Sequence, residues 1–139
     1  MSSPQPAEAP NRPAPCRVLI VDDNADGRTA LARVLELRGF EAMAVAAGSE
    51  ALAALHSSGP PRIIITDLVL PDLDGREVAR AARQLQPRPW VVLITDWGFE
   101  APPEELAEAG IDLLMPKPVD VRELCRHLDA MAAAGHPQP

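Results

Sequence analysis

Asp22-Asp23, Asp67, Thr95 and Lys117-Pro118 stand at or just beyond the ends of apolar runs. Asp22-Asp23 follows Arg-Val-Leu-Ile-Val, Asp67 follows Ile-Ile-Ile-Thr, Thr95 closes Trp-Val-Val-Leu-Ile-Thr, and Lys117-Pro118 comes just after Ile111 to Met115. Taken singly, each is ordinary: an Asp pair reads as a turn or helix start, one Asp as a cap, one Thr as a strand end. Placed together they would do chemistry. Carboxylates ~4–6 Å apart repel by roughly 3–4 kcal/mol per pair at an effective dielectric of ~20. A divalent cation relieves that repulsion, and a few carboxylates plus water is the usual way to hold Mg²⁺. A carboxylate can serve as a nucleophile and form an aspartyl phosphate. An ammonium, a hydroxyl and Mg²⁺ are the groups that clamp the oxygens of a transferring phosphoryl group.

The surrounding pattern says how these residues could meet. The runs 17–21, 63–66 and 90–95 are continuously apolar and rich in β-branched residues, as in parallel strands covered on both faces. Weaker strands fit Glu41 to Val45 and Ile111 to Met115. Helices fit between them. Asn24 caps one that runs through Leu31 and Leu35 to Gly39. Ser49 is expected to cap a second through Leu52 and Leu55, ahead of Gly59 and Pro60. Asp74 or Gly75 begins a third, through Val78 and Leu85, which stops before Pro87. Pro102 and Pro103 suit the first turn of a short fourth helix reaching Ala109. Asp120 caps a fifth, with Glu123 in capping-box position and Val121, Leu124, Leu128 and Met131 on one stripe. Strand-helix repeated five times predicts an α/β fold with a doubly wound, five-stranded parallel sheet. Such sheets bind ligands at the carboxyl ends of their strands, where the residues above would converge.

Bulk properties narrow the function. The 139 residues fit one domain, with 47% hydrophobic and 24% charged residues in ordinary globular balance. Aromatics are only 3%, so the core is aliphatic. A net charge of -7 repels nucleic acid and anionic membrane and directs attention to protein partners or cations. Cys16 and Cys125 form no CxxC or Cys/His cluster and read as reduced thiols of a cytoplasmic protein. No apolar run reaches the ~18–20 residues of a membrane span, and no signal peptide is visible. Residues 1–15, with five prolines, read as a disordered or extended tail, residues 16–133 as the domain, and 134–139 as a frayed end.

The order Asp22-Asp23, Asp67, Thr95, Lys117-Pro118 resembles the receiver domain of bacterial two-component response regulators. So do the local motifs Val18-Leu19-Ile20-Val21-Asp22-Asp23-Asn24 and Asp67-Leu68-Val69-Leu70-Pro71-Asp72-Leu73-Asp74-Gly75. The match covers roughly residues 16 to 131. The resemblance implies a flavodoxin-like (βα)5 fold with strand order 2-1-3-4-5. It implies that Asp67 is the phosphoacceptor, taking its phosphoryl group from phosphohistidine on a histidine kinase or histidine phosphotransfer protein. Asp23 would ligate Mg²⁺ directly, Asp22 directly or through water, with Asp67 and the Val69 backbone carbonyl completing the protein ligands. Thr95 would bond a phosphoryl oxygen, and Lys117, before a cis Pro118, would pair with the phosphate. Such a module is not an enzyme beyond its own phosphorylation and dephosphorylation. It is a monomer or weak dimer that passes its signal to an output protein whose identity the residues do not specify. It is either free-standing or part of a hybrid kinase.

Two positions depart from the family. Leu114 stands where an aromatic residue commonly sits three before the lysine, so the usual threonine–aromatic coupling is absent or modified, and Trp97 or Phe99 is expected to take its place. Asp96 stands where Ala or Gly is usual. At ~6 Å from a phosphate it would oppose it by roughly 2–3 kcal/mol per unit charge, and far less if it faces solvent. These departures favour a competing reading, a pseudo-receiver scaffold independent of phosphorylation. A haloacid-dehalogenase-like phosphatase is set aside because Val69 occupies the place of its second aspartate, and no Gly-rich phosphate loop supports a nucleotide or flavin site. Asp72 to Gly75 reads as a turn rather than a calcium loop, His56, His127 and His136 as surface residues, and Glu100, Glu104, Glu105 and Glu108 as a solvated face.

Overall fold

A computed structural model describes residues 15–57, 59–96 and 98–137. Nearly all of the proline-rich 1–15 segment, and Trp97, lie outside the described residues. Five strands alternate with five helices: β1 (Arg17–Val21), α1 (Ala25–Leu37), β2 (Glu41–Val45), α2 (Gly48–Leu55), β3 (Ile63–Asp67), α3 (Gly75–Arg83), β4 (Trp90–Thr95), α4 (Pro103–Ala109), β5 (Leu113–Pro116) and α5 (Val121–Ala134). The strands form one parallel sheet in the order β2-β1-β3-β4-β5, the α/β topology the sequence predicts.

The continuous apolar runs are explained by burial on both faces. Alternate strand residues Val18, Ile20, Ile63, Ile65, Val92 and Ile94 meet Leu35 of α1 and Leu124, Leu128 and Met131 of α5. The intervening Leu19, Val21, Ile64, Val91 and Leu93 meet Ala51 and Leu55 of α2, Val78, Ala79 and Ala82 of α3, and Ala109 of α4. Small alanines let these helices approach the sheet closely, so a core almost without aromatics still closes.

Helix starts follow side-chain capping. Asn24 Oδ1 accepts from Gly27 N at 2.7 Å, Asp74 caps α3 with Glu77 in a capping box, and Asp120 Oδ1 accepts from Glu123 N at 3.1 Å. Ser49 is not a cap. It lies in the first turn of α2, because the Glu50 carboxylate takes the Ala46 and Ala47 N–H groups while Asp72 takes those of Gly48 and Ser49. β5 starts at Leu113 rather than Ile111. Ile111 N bonds back to Leu106 O, and the Asp112 carboxylate accepts from Val91 N and pairs with Arg88, so ladder pairing begins at Leu113, two residues later than expected. α3 ends at Arg83, short of Leu85. At the opposite edge of the sheet, α5 runs to Ala134, Gly135 O accepts from Arg62 at 2.8 Å and Trp90 Nε1 at 3.0 Å, and Pro137 is buried.

Candidate functional site

Strand register gathers the site. Val21 pairs with Thr66, so Asp22 leaves β1 beside Asp67 at the end of β3. Asp67 pairs with Ile94 and Thr95 with Pro116, which brings the ends of β4 and β5 level with it. Lys117 N donates to Thr95 O at 2.7 Å, fixing the lysine backbone against the threonine. The Lys117–Pro118 bond is cis, and so is Gln86–Pro87.

The side chains meet as the spacing predicts. One carboxylate oxygen from each of Asp22, Asp23 and Asp67 lies within 4.8 Å of the others. Lys117 Nζ is 3.3 Å from Asp67 Oδ2, an ion pair across a residue that is 4% exposed. That oxygen is buried with no hydrogen-bond partner. Thr95 is buried and lines a small pocket together with Lys117. Val69 follows two residues after Asp67, with its side chain exposed.

Backbone contacts fix these groups. Asp22 Oδ1 accepts from Asn24 N at 2.9 Å and Asp22 O accepts from Arg28 at 3.2 Å. Leu68 N bonds Ile94 O at 2.8 Å, and Gly75 N bonds Leu68 O at 2.7 Å. A Cβ on Gly75 would fall 2.1 Å from Asp67 O, so only glycine lets α3 start this close to the acidic strand end.

Electrostatics match the geometry. Burial, then a hydrogen bond and like charge from Asp22, push the Asp67 carboxyl up to about 7, against the opposing pull of Lys117. The single Lys117 ammonium does not offset the burial and the neighbouring Asp22 carboxylate. Three clustered carboxylates, all-oxygen ligands and a buried Asp67 oxygen without a hydrogen bond suit a hard divalent ion such as Mg²⁺.

Other parts of the site were not legible in the sequence. Asp72, read as a turn residue, accepts from Gly48 N at 2.8 Å and Ser49 N at 2.9 Å, tying the β3–α3 loop to α2. Those bonds, the Ser49 one foremost, hold its carboxyl below the usual range despite some desolvation. Arg76 bridges Asp74 at 2.9 Å and Glu105 of α4 at 3.3 Å. A cleft of about 580 Å³ runs from Asp22, Asp67 and Lys117 down between α1 and Val119, walled by Leu31, Val34 and Ile65. No sequence spacing announces it, because its walls come from five separate elements. Asp96 is exposed and lines the same cleft. Leu114 is half-buried on the side of the sheet that α2, α3 and α4 cover. Phe99, half-buried, lines a small pocket with Thr95, Asp96 and Lys117.

Comparisons with known proteins agree with this geometry. The profile of the response regulator receiver domain matches residues 18–129. Response regulator MprA of Mycolicibacterium vanbaalenii is 32% identical over 119 residues, 84% of this chain and 50% of that protein. The transcriptional regulatory protein CpxR of Escherichia coli K12 is 30% identical over 120 residues, 86% of this chain and 50% of its own length. The chain thus spans about half the length of these relatives. Among solved structures, the CheY-like response regulator receiver domain protein of Methanospirillum hungatei JF-1 superposes with a TM-score of 0.75 at 28% identity, covering 87% of this chain and 99% of that one. Among the described residues, no helix is long and apolar enough to cross a membrane. With the profile matching most of the chain and the strand-end residues gathered as described, this protein belongs to the response regulator receiver family of two-component systems.

Proposed function

We propose that this receiver domain accepts a phosphoryl group on Asp67 and passes the resulting change to an output protein. The observation that carries the reading is Asp67 itself: a buried carboxylate flanked by two more, whose Oδ2 has no hydrogen bond and faces the Lys117 ammonium at 3.3 Å. In the reaction, an Asp67 oxygen attacks the phosphorus of a phosphohistidine on a histidine kinase or histidine phosphotransfer protein. A P–O bond forms as the P–N bond breaks, and the electron pair leaves with the imidazole. Asp22, Asp23, Asp67 and the Val69 carbonyl are the groups that would hold Mg²⁺, which when bound offsets charge on the phosphoryl oxygens. Lys117 neutralises the charge that its partner Asp67 carries after transfer, and the Thr95 hydroxyl donates to a phosphoryl oxygen. The domain acts as a substrate and timer of this single transfer rather than as an enzyme on other molecules, in the cytoplasm, as a monomer or weak dimer and without contact to nucleic acid.

Mass spectrometry after acetyl phosphate treatment with Mg²⁺ tests this. A gain of one phosphoryl group in wild type, absent in Asp67→Ala, is the expected result; equal labelling of both proteins would sink it. Leu114 and Asp96 favour a second reading, a scaffold that works unphosphorylated. Beryllofluoride binding with Mg²⁺ that disappears in Asp67→Asn would exclude that scaffold reading, and no binding in wild type would favour it.

A further inference from the structure

We infer that Gly27 is a positioning residue for the metal site: its missing Cβ sets where the second carboxylate oxygen of Asp22 rests. This rests on the reading of Asp22 as a Mg²⁺ ligand, directly or through water. Gly27 lies in the first turn of α1, where helix propensity favours alanine. Its φ is not positive, so the backbone there would accept any ordinary residue. Space is therefore the property that glycine supplies. A Cβ at this position would fall 3.2 Å from Asp22 Oδ2 and 3.3 Å from Asn24 Oδ1. Neither neighbour retreats freely. Asn24 Oδ1 is held by the 2.7 Å bond from Gly27 N that caps the helix, and Asp22 Oδ1 by the 2.9 Å bond from Asn24 N. The contact is relieved by turning the Asp22 carboxylate about that fixed oxygen. Such a turn moves Oδ2, the oxygen beside Gly27, and re-aims the Asp22 carboxylate that belongs to the cluster. Misplacing a group that orients a metal ligand typically costs ~10-fold or more in metal affinity.

The test titrates Mg²⁺ into the full-length, metal-free protein and follows the Asp22, Asp23 and Asp67 amide resonances by NMR. Wild type, Gly27→Ala, Asp22→Asn and the double variant are compared, with unfolding midpoints measured in EDTA. Gly27→Ala is expected to bind Mg²⁺ roughly tenfold more weakly while its metal-free midpoint stays equal to or above that of wild type. In the Asp22→Asn background the same substitution is expected to add less than ~2-fold, because the two changes act through one ligand. Unchanged Mg²⁺ affinity in Gly27→Ala, with Asp22→Asn clearly weakened, would overturn the inference and leave the site reading intact. So would an equal loss in both backgrounds, or a lowered midpoint in EDTA, which marks a general packing role. Failure of wild type itself to bind Mg²⁺ would overturn the site reading and this inference with it.

Discussion

At the scale of single residues, Asp67 sets a measurable cost. Its carboxyl moves from 3.8 to about 7 on folding, chiefly through burial and secondly through Asp22. Between those values the folded state binds a proton that the unfolded state has released. Folding is thus favoured below about pH 4, and that advantage is lost as pH rises through about 7. In EDTA, Asp67→Asn should therefore raise the unfolding midpoint more at pH 8 than at pH 5, as thermal scans would show, and Mg²⁺ should narrow the gap by stabilising wild type. A gap independent of pH would mean that Asp67 is not strained as an anion. Asp96 offers a second test at this scale. It is exposed and shares the cleft with Lys117, so Asp96→Ala should speed acetyl phosphate labelling by about threefold at low salt, with the difference shrinking in ~0.5 M salt. These residues were readable in the sequence because each closes an apolar run, and a parallel sheet sends every such end to the same edge. Gly27, Asp72 and Arg76 were not, because their roles depend on what folds against them: an Asp22 oxygen, the start of α2, and α4.

At the scale of elements, the sheet keeps the strand ends level and the loops tune the result. The β3–α3 loop is held at both sides, to α2 through Asp72 and to α4 through Arg76 and Glu105. Its exit depends on Gly75. Gly75→Ala drives a Cβ into Asp67 O and should cost ~1–3 kcal/mol of stability in chemical denaturation. The central strands were legible because burial on both faces leaves a continuous apolar run, as Ile63 to Ile65 do in β3. β5 was misplaced at its start because Ile111 is buried as the close of α4, and burial alone does not separate a helix C-terminus from a strand. The β4–α4 loop holds Phe99, one of the two aromatics proposed to stand in for the residue that Leu114 replaces. Phe99 reaches the pocket beside Thr95 and Lys117, the only position of the expected aromatic pair among the described residues. Phe99→Ala should therefore remove the change in α4 hydrogen exchange that beryllofluoride induces in wild type, while leaving beryllofluoride affinity within about twofold.

At the scale of the whole molecule, two aliphatic layers hold the sheet, and the site lies where neither layer covers it. Leu128, fully buried between α5 and the sheet, anchors one layer, and Leu128→Ala should destabilise by ~2–5 kcal/mol in urea unfolding. The 580 Å³ cleft is where that layer falls short of the acidic edge, so the side of the molecule beneath Asp67 is less tightly filled than the side under α3. The far edge is tied by Gly135 to Arg62 and Trp90, so the two ends of the strands differ in character: one bolted, one chemically open. The ion pair at the open end has a practical corollary. Lys117 is the single lysine in the chain, beside arginines and three histidines. Amine-selective acylating reagents thus meet one side-chain amine in the entire fold, and its labelling rate becomes a built-in reporter of whatever occupies the space beside Asp67.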